Sequence, residues 1–506
     1  MLPSPRRWTL VAPAATLLGL ALVASAFTPL NSDLGWTLRY GQDAVEHGAI
    51  VTRNGLSFTE PHRLVVTYQW LFSVVSFLVH RSFGAAGLIA LKWMVLGVTV
   101  VALAGAVAKV ARHPLARLVS LGVAGPLLGL GFLYVRSQIA TYALVALVVW
   151  AALSAKRAAW WACVPLLALW PNLHGGFVLG LALVGAMSGA LWLEARLVHA
   201  EAPPARELLA IPLAGALATF ASPFGWRLHA LALNLTRDPG RSLDHEWTPL
   251  WRLSSLAPAE WEALGVVAVT LALAVVFVPK TRLRLWVLGL LLLLVPTAER
   301  HLRLVPLLAT PVLAAALDAA IDRLGATTRA RLARPVAPIG LAVGLASLAL
   351  FASSLPRSLA FTSFPPPNPA PAIEVIRLNH LTGNVWNDFN WGGLLQWAAP
   401  AVRVACDGRF DQAYSDEVRR EVIDFGFDQH DPLRTLERSG ADLVLLPRTN
   451  PALAEVANVY RPLYCDAGVC LLSRRPDQLA LVGHGLRLPT TTLTPASFFN
   501  PPNPPP

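Results

Sequence analysis

Asp33, Arg136, His174, Glu246, Arg300 and His301 sit in short polar motifs that interrupt a largely apolar chain. The motifs are Asn31-Ser32-Asp33-Leu34-Gly35-Trp36, Arg136-Ser137-Gln138, Asn172-Leu173-His174-Gly175-Gly176, Ser222-Pro223-Phe224-Gly225-Trp226, Asp244-His245-Glu246-Trp247 and Glu299-Arg300-His301. A carboxylate beside an apolar cavity can serve as a general base or bind a metal. That chemistry is open to Asp33, with Glu246 as a second carboxylate. Arg136, His174, Arg300 and His301 suit a lipid-borne phosphate or pyrophosphate, because a planar guanidinium grips phosphate oxygens bidentately. Each group also has a plainer use. Asp33 can cap the helix 35–46, a lone arginine at a helix end can snorkel to lipid headgroups, and Glu246 can belong to a surface turn. Zinc is disfavoured, since the histidines lie on different loops without His-x-x-x-His or Cys-x-x-Cys spacing. The chain has no P-loop, dinucleotide fingerprint or Gly-x-Ser-x-Gly elbow, which argues against a nucleotide-driven or serine-hydrolase mechanism.

The elements that must position these motifs are membrane helices. Charged residues are only 14% of the 506 residues, against about 25% in an ordinary soluble chain, and the mean hydropathy is +0.52. Apolar runs recur from Trp8 to Leu355, many near the roughly 20 residues a crossing needs. Eleven spans are expected, centred near residues 18, 96, 125, 146, 164, 185, 214, 269, 291, 312 and 346. The net charge of +11 does not point to nucleic acid, because Lys and Arg lie mostly between apolar runs. One set of connecting stretches holds 16 Lys and Arg in 53 residues and the other 11 in 110. The denser set belongs inside. This places the N-terminus in the cytoplasm, the chain past Leu355 outside a plasma (inner) membrane, and every polar motif above on the outer face.

Two segments bear on that count. Met1 to Ala26 resembles a signal peptide, with Arg6-Arg7 and Ala24-Ser25-Ala26. It is read as an uncleaved first helix, since cleavage would leave Asp33 on a free end. Residues 68–79 are read as an interfacial helix, with Trp70 and Phe72 at headgroup level. Three helices, 160–170, 208–221 and 285–296, are short for a crossing. The groups that follow them (Asn172 and His174, Pro223 and Trp226, Arg300 and His301) should therefore lie below the outer surface, around a cavity open to that side.

Beyond a stiff Pro-rich linker (356–370), residues 371–485 read as a small α/β domain, and 486–506 as a disordered Pro-rich tail. Within the domain, helices are expected over 372–381 and 415–425, and strands over 383–386, 402–406 and 442–446. A hairpin over 464–472 brings Cys465 and Cys470 close enough to pair, two free thiols being the alternative. Asn387-Asp388, Trp391-Gly392-Gly393 and Asp407-Gly408-Arg409 have the look of ligand loops, although Asp-Gly is also a plain turn signal and the structural use is preferred.

Asp33-Leu-Gly-Trp-x-Leu-Arg-x-Gly, Glu46-His47-Gly48, Ser57-Phe58-Thr59 and Gln69-Trp70-Leu71 resemble the first outer loop of bacterial C-type glycosyltransferases. The later motifs, with Trp391-Gly-Gly and Asp407-Gly-Arg, extend that resemblance over residues 30–475, to an uncharacterised branch of the superfamily. The resemblance implies transfer of a sugar, hexose or pentose, from a polyprenyl-phosphate donor to a lipid or glycan acceptor of the envelope. Asp33 matches the acidic base or metal ligand of the first loop. The Asp-x-Asp or Glu-rich signature of better-known members is reduced here to this one residue, which puts a divalent metal in question. Asp33 and Glu246 are thus the expected catalytic residues. Arg136, His174, Arg300, His301, Trp36 and Trp226 are the expected binding residues, and no nucleotide cofactor is expected. A lipid or polysaccharide transporter is the rival, disfavoured because such sites lie at the midplane between matched halves. A non-catalytic envelope-assembly scaffold is the other alternative.

Overall fold

The computed structural model describes residues 5–154, 156–235, 245–253, 256–426, 431–489 and 493–499. A helix covers each of the eleven positions expected for a span. In chain order, with the helices between them, these are α1 (Pro5–Ala24), α2 (Asp33–His47), α3 (Trp70–Val110), α4 (Pro114–Gly131), α5 (Gln138–Ala152), α6 (Arg157–Trp161), α7 (Cys163–Leu173), α8 (Phe177–Val198) and α9 (Ala205–Ala218). They continue through α10 (Trp226–Leu235), α11 (Pro258–Phe277), α12 (Leu283–Leu292), α13 (Val305–Asp322), α14 (Ala326–Ala333) and α15 (Val336–Ser358). Among the described residues, six helical stretches are long and apolar enough to cross a membrane, those of α3, α4, α8, α11, α13 and α15. The chain is a multi-pass membrane protein. The three spans expected to be short fall on α7, α9 and α12, of 11, 14 and 10 residues.

Small residues let the helices approach closely. A Cβ on Gly19 of α1 would lie 2.8 Å from Ser347 Cβ of α15, and one on Gly129 of α4 would lie 2.5 Å from the Ala21 carbonyl. Such contacts are how helices associate where lipid removes the hydrophobic drive between them. α1 is therefore locked between α4 and α15. Ser25 and Ala26, just past its end, are buried, and the Ser25 carbonyl accepts a hydrogen bond from Lys92 Nζ at 2.9 Å.

The segment expected to lie at the interface is helical and ends at a kink before the expected span. Trp70 opens a 41-residue helical stretch made of two helices that meet at a kink at Gly84, where φ is 60°. Phe72 is buried and Trp70 Nε1 donates to Asn172 Oδ1 at 2.8 Å. Both side chains have protein partners on the inner side of this helix.

Past α15, a mixed five-stranded sheet forms in the order β2-β1-β3-β5-β4, with β1 (Gly383–Asn387), β2 (Val402–Val404), β3 (Leu443–Pro447), β4 (Arg461–Cys465) and β5 (Val469–Ser473). β1 runs parallel to β2 and β3, and β5 is antiparallel to β3 and β4. Cys465 and Cys470 face each other across the hairpin and are disulfide-bonded. The free edge at β2 is covered by the first outer loop, where Ser57 bridges Val404 and Phe58 N donates to the Val404 carbonyl at 3.1 Å. Capping the edge this way removes an aggregation-prone surface and ties the domain to the membrane part.

The tail corrects the disordered expectation in part. Pro495–Phe499 is helical, and Phe498 and Phe499 are buried, packed on Phe361, Phe364 and Trp397. Two adjacent aromatics supply the apolar area that the surrounding Pro and Thr lack.

Candidate functional site

α2 begins at Asp33 itself. Its N-cap is Ser32, which makes no side-chain capping bond, so the Asp33 carboxylate is free of the capping role and faces inward. Trp36, one turn on, donates its indole Nε1 to Asp33 Oδ1 at 3.1 Å. α2 is pressed between α3 and the outer domain by two glycines. A Cβ on Gly41 would lie 2.1 Å from the Ser73 carbonyl, and one on Gly35 would lie 1.9 Å from the Gly393 carbonyl. These approaches fix where the carboxylate stands.

Arg136, on the turn between α4 and α5, is held by two acids from distant parts of the chain. Its Nη2 lies 2.7 Å from Asp33 Oδ2 and its Nη1 lies 2.5 Å from Glu246 Oε1. Glu246 sits on the short helical turn His245–Trp247, and its Oε2 accepts from Gln138 Nε2 at 3.4 Å. Asp244 lies outside the described residues. Burial works to raise the Glu246 carboxyl, but Arg136 and Arg300 outweigh it and hold the value down to about 2. Asp33 goes the other way. Burial pushes its carboxyl above the usual aspartate value despite the opposing pull of Arg136 and Trp36.

Arg300 lies on the turn Glu299–Leu304, with its guanidinium 4.1 Å from the centre of the Trp247 ring. His174 ends α7. Its Nδ1 receives the Gly176 backbone N–H at 3.0 Å and lies 2.9 Å from Thr141 Oγ1. A backbone N–H can only donate, so Nδ1 is the acceptor and the ring proton sits on Nε2. Burial, with Arg300 and Arg136 nearby, lowers His174 to about 3, so it is a neutral N–H donor. The sequence reads accordingly: a Cβ on Gly176 would lie 2.5 Å from Thr141 Oγ1.

Asp33, Trp36, Arg136, His174, Glu246 and Arg300 all line one polar cavity of about 110 Å³ beneath the outer domain, whose Gly408, Phe410 and Gln412 complete its wall. Tyr68, Gln138, His174, Trp247 and Arg300 also line a second chamber of about 620 Å³. Its remaining wall is mostly apolar, with Phe177, Leu179, Leu228, Leu291 and Leu308 among the side chains from α8, α10, α12 and α13. His301 lines this larger chamber only. Tyr68 and Gln412, joined by a 2.9 Å hydrogen bond, are site residues that sequence reading missed. Neither belongs to a polar cluster that would have flagged it.

Two expectations need correcting. Trp226 lines neither chamber. It is 68% exposed, because Gly225 turns the chain at φ 48° and α10 starts with the indole outward. Arg136 is engaged by two carboxylates rather than presented to a phosphate. Asp407-Gly408-Arg409 keeps its structural reading: Arg409 is fully buried and bound to Asp407 and to the hydroxyls of Tyr40 and Tyr414.

A divalent ion at Asp33, as the resemblance allows, does not fit this donor set. The oxygens of Asp33 and Glu246 already face N–H donors from Arg136, Trp36 and Gln138, and His174 has no lone pair to offer. Among the described residues, the one grouping of three potential ligands is His113, Asp318 and Asp322. It lies at the opposite ends of α3 and α13, tied up with Arg112 and Arg329.

The fold and site together define a class: a helical membrane bundle with a half-buried carboxylate in a polar cavity that shares walls with an apolar chamber, roofed by a C-terminal α/β domain. No family model matches the sequence, and no curated protein is significantly similar to it. Solved structures are similar in fold. The Archaeoglobus fulgidus oligosaccharyltransferase tethered with an acceptor peptide superposes with a TM-score of 0.59 at 9% identity, covering 93% of this chain and 74% of that one. The oligosaccharyltransferase AglB from the same organism, in complex with an inhibitory peptide and a dolichol-phosphate, gives 0.60 at 10%, covering 87% and 69%. ArnT from Cupriavidus metallidurans bound to undecaprenyl phosphate gives 0.54 at 12%, covering 94% and 99%. At these identities the likeness is one of fold alone, shared with the two oligosaccharyltransferase structures and with ArnT.

Proposed function

We propose that this chain is a membrane glycosyltransferase that moves a sugar from a polyprenyl-phosphate donor to an envelope acceptor at the outer face of the plasma membrane. The observation that carries the reading is the junction of the two chambers. A carboxylate whose environment favours taking a proton stands on the polar side, an apolar chamber of about 620 Å³ lies on the other, and Arg300 and His174 line both. That volume is in the range of small-ligand sites, and its lining suits an isoprenoid segment. The neighbours bound to undecaprenyl phosphate and dolichol-phosphate make this donor class the natural one.

In this reading the acceptor hydroxyl attacks the anomeric carbon and Asp33 takes its proton. The bond from that carbon to the phosphate oxygen breaks, and the polyprenyl phosphate leaves with the electron pair. Arg300 balances the phosphate charge, and His174 Nε2 and His301 donate hydrogen bonds to it. One displacement inverts the anomeric centre. Trp36 orients Asp33, and the outer domain helps bind the acceptor. The N-terminus is cytoplasmic, and eleven helices cross.

The test is sugar transfer in nanodiscs from a panel of radiolabelled polyprenyl-phosphate sugars. Asp33→Asn should lose about 10²–10⁴ in rate, the usual worth of a general base, while Arg300→Ala should weaken donor binding. Full activity in well-folded Asp33→Asn removes Asp33 from the mechanism. A wild-type chain that consumes no donor leaves the scaffold reading in its place.

A further inference from the structure

We infer that the Arg136 guanidinium occupies the position of a catalytic divalent cation, so that the outer site works on two fixed arginines and binds no metal ion. Its catalytic consequence rests on the glycosyltransferase reading above. The geometry does not. Asp33 and Glu246 lie 213 positions apart in sequence and on separate elements, yet each gives one carboxylate oxygen to a different terminal nitrogen of the same guanidinium, at 2.7 and 2.5 Å. Two acids converging on one centre are what a bridging cation would otherwise hold. Here the centre is a planar group anchored by its own backbone, and the pair is sheltered, with the Arg136 and Asp33 side chains only 24% and 17% exposed.

Charge reaches the same end. Two carboxylates need about two positive charges to stand together away from water, and Arg136 with Arg300 supplies them. The outward oxygens are also engaged, Asp33 Oδ1 by Trp36 Nε1 and Glu246 Oε2 by Gln138 Nε2. An octahedral Mg²⁺ or Mn²⁺ asks for six oxygen or nitrogen ligands, and would have to displace these donors while sharing its place with a fixed cation. His174, the imidazole on the wall of this cavity, has Nδ1 taken by the Gly176 N–H and Nε2 protonated, so it offers no ligand atom. Arg136 is thus a positioning residue. It holds Asp33 ionisable and aimed, and leaves Arg300 to meet the phosphate.

The experiment titrates the full chain in lipid nanodiscs with Mn²⁺ and reads free ion by electron paramagnetic resonance. Wild type, Asp33→Asn and Glu246→Gln should give superimposable isotherms, any Mn²⁺ taken up at His113, Asp318 and Asp322 being common to all three. Arg136→Ala, which frees two facing carboxylates, should gain a site at least about tenfold tighter, lost again when Glu246→Gln is added. A wild-type site abolished by Asp33→Asn or Glu246→Gln overturns the inference, as does an Arg136→Ala isotherm identical to wild type. Should Arg136→Ala fail to fold, the wild-type comparison still decides. Where transfer is observed, it should survive exhaustive EDTA treatment, and its loss to EDTA with recovery on Mn²⁺ overturns the inference. Where no donor is turned over the proposed function fails, yet the isotherms keep their meaning.

Discussion

Gly408 and Asp33, from opposite ends of the chain, stand so close that a Cβ on the glycine would lie 1.9 Å from the Asp33 Oδ1 atom. The outer-domain turn is therefore a wall of the site rather than a neighbour of it. Gly408→Ala should push the carboxylate away from Arg136. A misplacement of about 1 Å can cost about 10² in rate, whereas overpacking costs folding about 1–3 kcal/mol. Transfer should collapse while the protein stays folded at 25 °C, as thermal melts and rates on the same preparation would show. Wild-type rates in Gly408→Ala would mean that the turn swings clear of Asp33 during turnover.

His174 should be invisible to pH. Its Nδ1 accepts the Gly176 N–H, and its folded value is pushed down to about 3 by burial and the two arginines, so across pH 5–8 it stays neutral. The rate profile should show no limb near 6.5 that His174→Gln removes. His174→Gln, which can still offer an N–H, should weaken donor binding less than His174→Ala. Equal losses in the two variants would deny the donor role.

Glu246 should support folding in a defined window. Its folded value of about 2 lies below its ordinary 4.5, so its stabilisation is fully present above about pH 4.5 and is lost as pH falls towards the folded value. Glu246→Gln should lower the melting temperature at pH 7, with a smaller difference from wild type at pH 3. The melts at the two pH values check it, and a constant difference would place Glu246 outside the ion-pair network.

Much of this was legible in the chain because membrane helices announce themselves. Apolar length located α1, α3 to α5, α7 to α9, α11 to α13 and α15, and short runs ending in polar motifs pointed to a cavity before its walls were known. Asp33, His174, Glu246 and Arg300 were found by residue type. What could not be read was pairing. Nothing near Arg136 says that Glu246, on a loop 110 positions away, will take one of its nitrogens and so reverse its role from phosphate ligand to carboxylate bridge. Tyr68, Phe410 and Gln412 have ordinary contexts, and only the seating of β2 against the first outer loop brings them to the site. Trp226 misled because tryptophan beside Pro and Gly marks a turn as readily as a pocket.

Topology can be tested on a nearly thiol-free background. Cys163 and Cys406 are buried and Cys465 is bonded to Cys470, so the folded wild type should resist maleimide until reduced. Thr297→Cys should then label from the outside, and Arg282→Cys only after the membrane is opened. The reverse pattern would invert the orientation and place Asp33 and Arg300 at the inner face.

Asp33 should cost the fold stability at neutral pH. Its folded value lies above the ordinary 3.8, burial outweighing Arg136 and Trp36. For a carboxylate shifted in that direction the sign reverses relative to Glu246. The group favours the folded state below its unfolded value, and that benefit is lost as pH rises through the folded one. At pH 7 the ionised carboxylate is therefore held against its preference, as expected where an acid is kept as a base beside an apolar chamber. Asp33→Asn removes the charge while keeping the oxygen that accepts from Trp36 Nε1. It should melt at or above the wild-type temperature at pH 7 even as transfer falls, with the gap closing below pH 4. The paired measurement is a melt and a rate for each protein at both pH values. Clear destabilisation of Asp33→Asn at pH 7 would show that the ion pair with Arg136 outweighs burial, and that Asp33 is there to hold the fold.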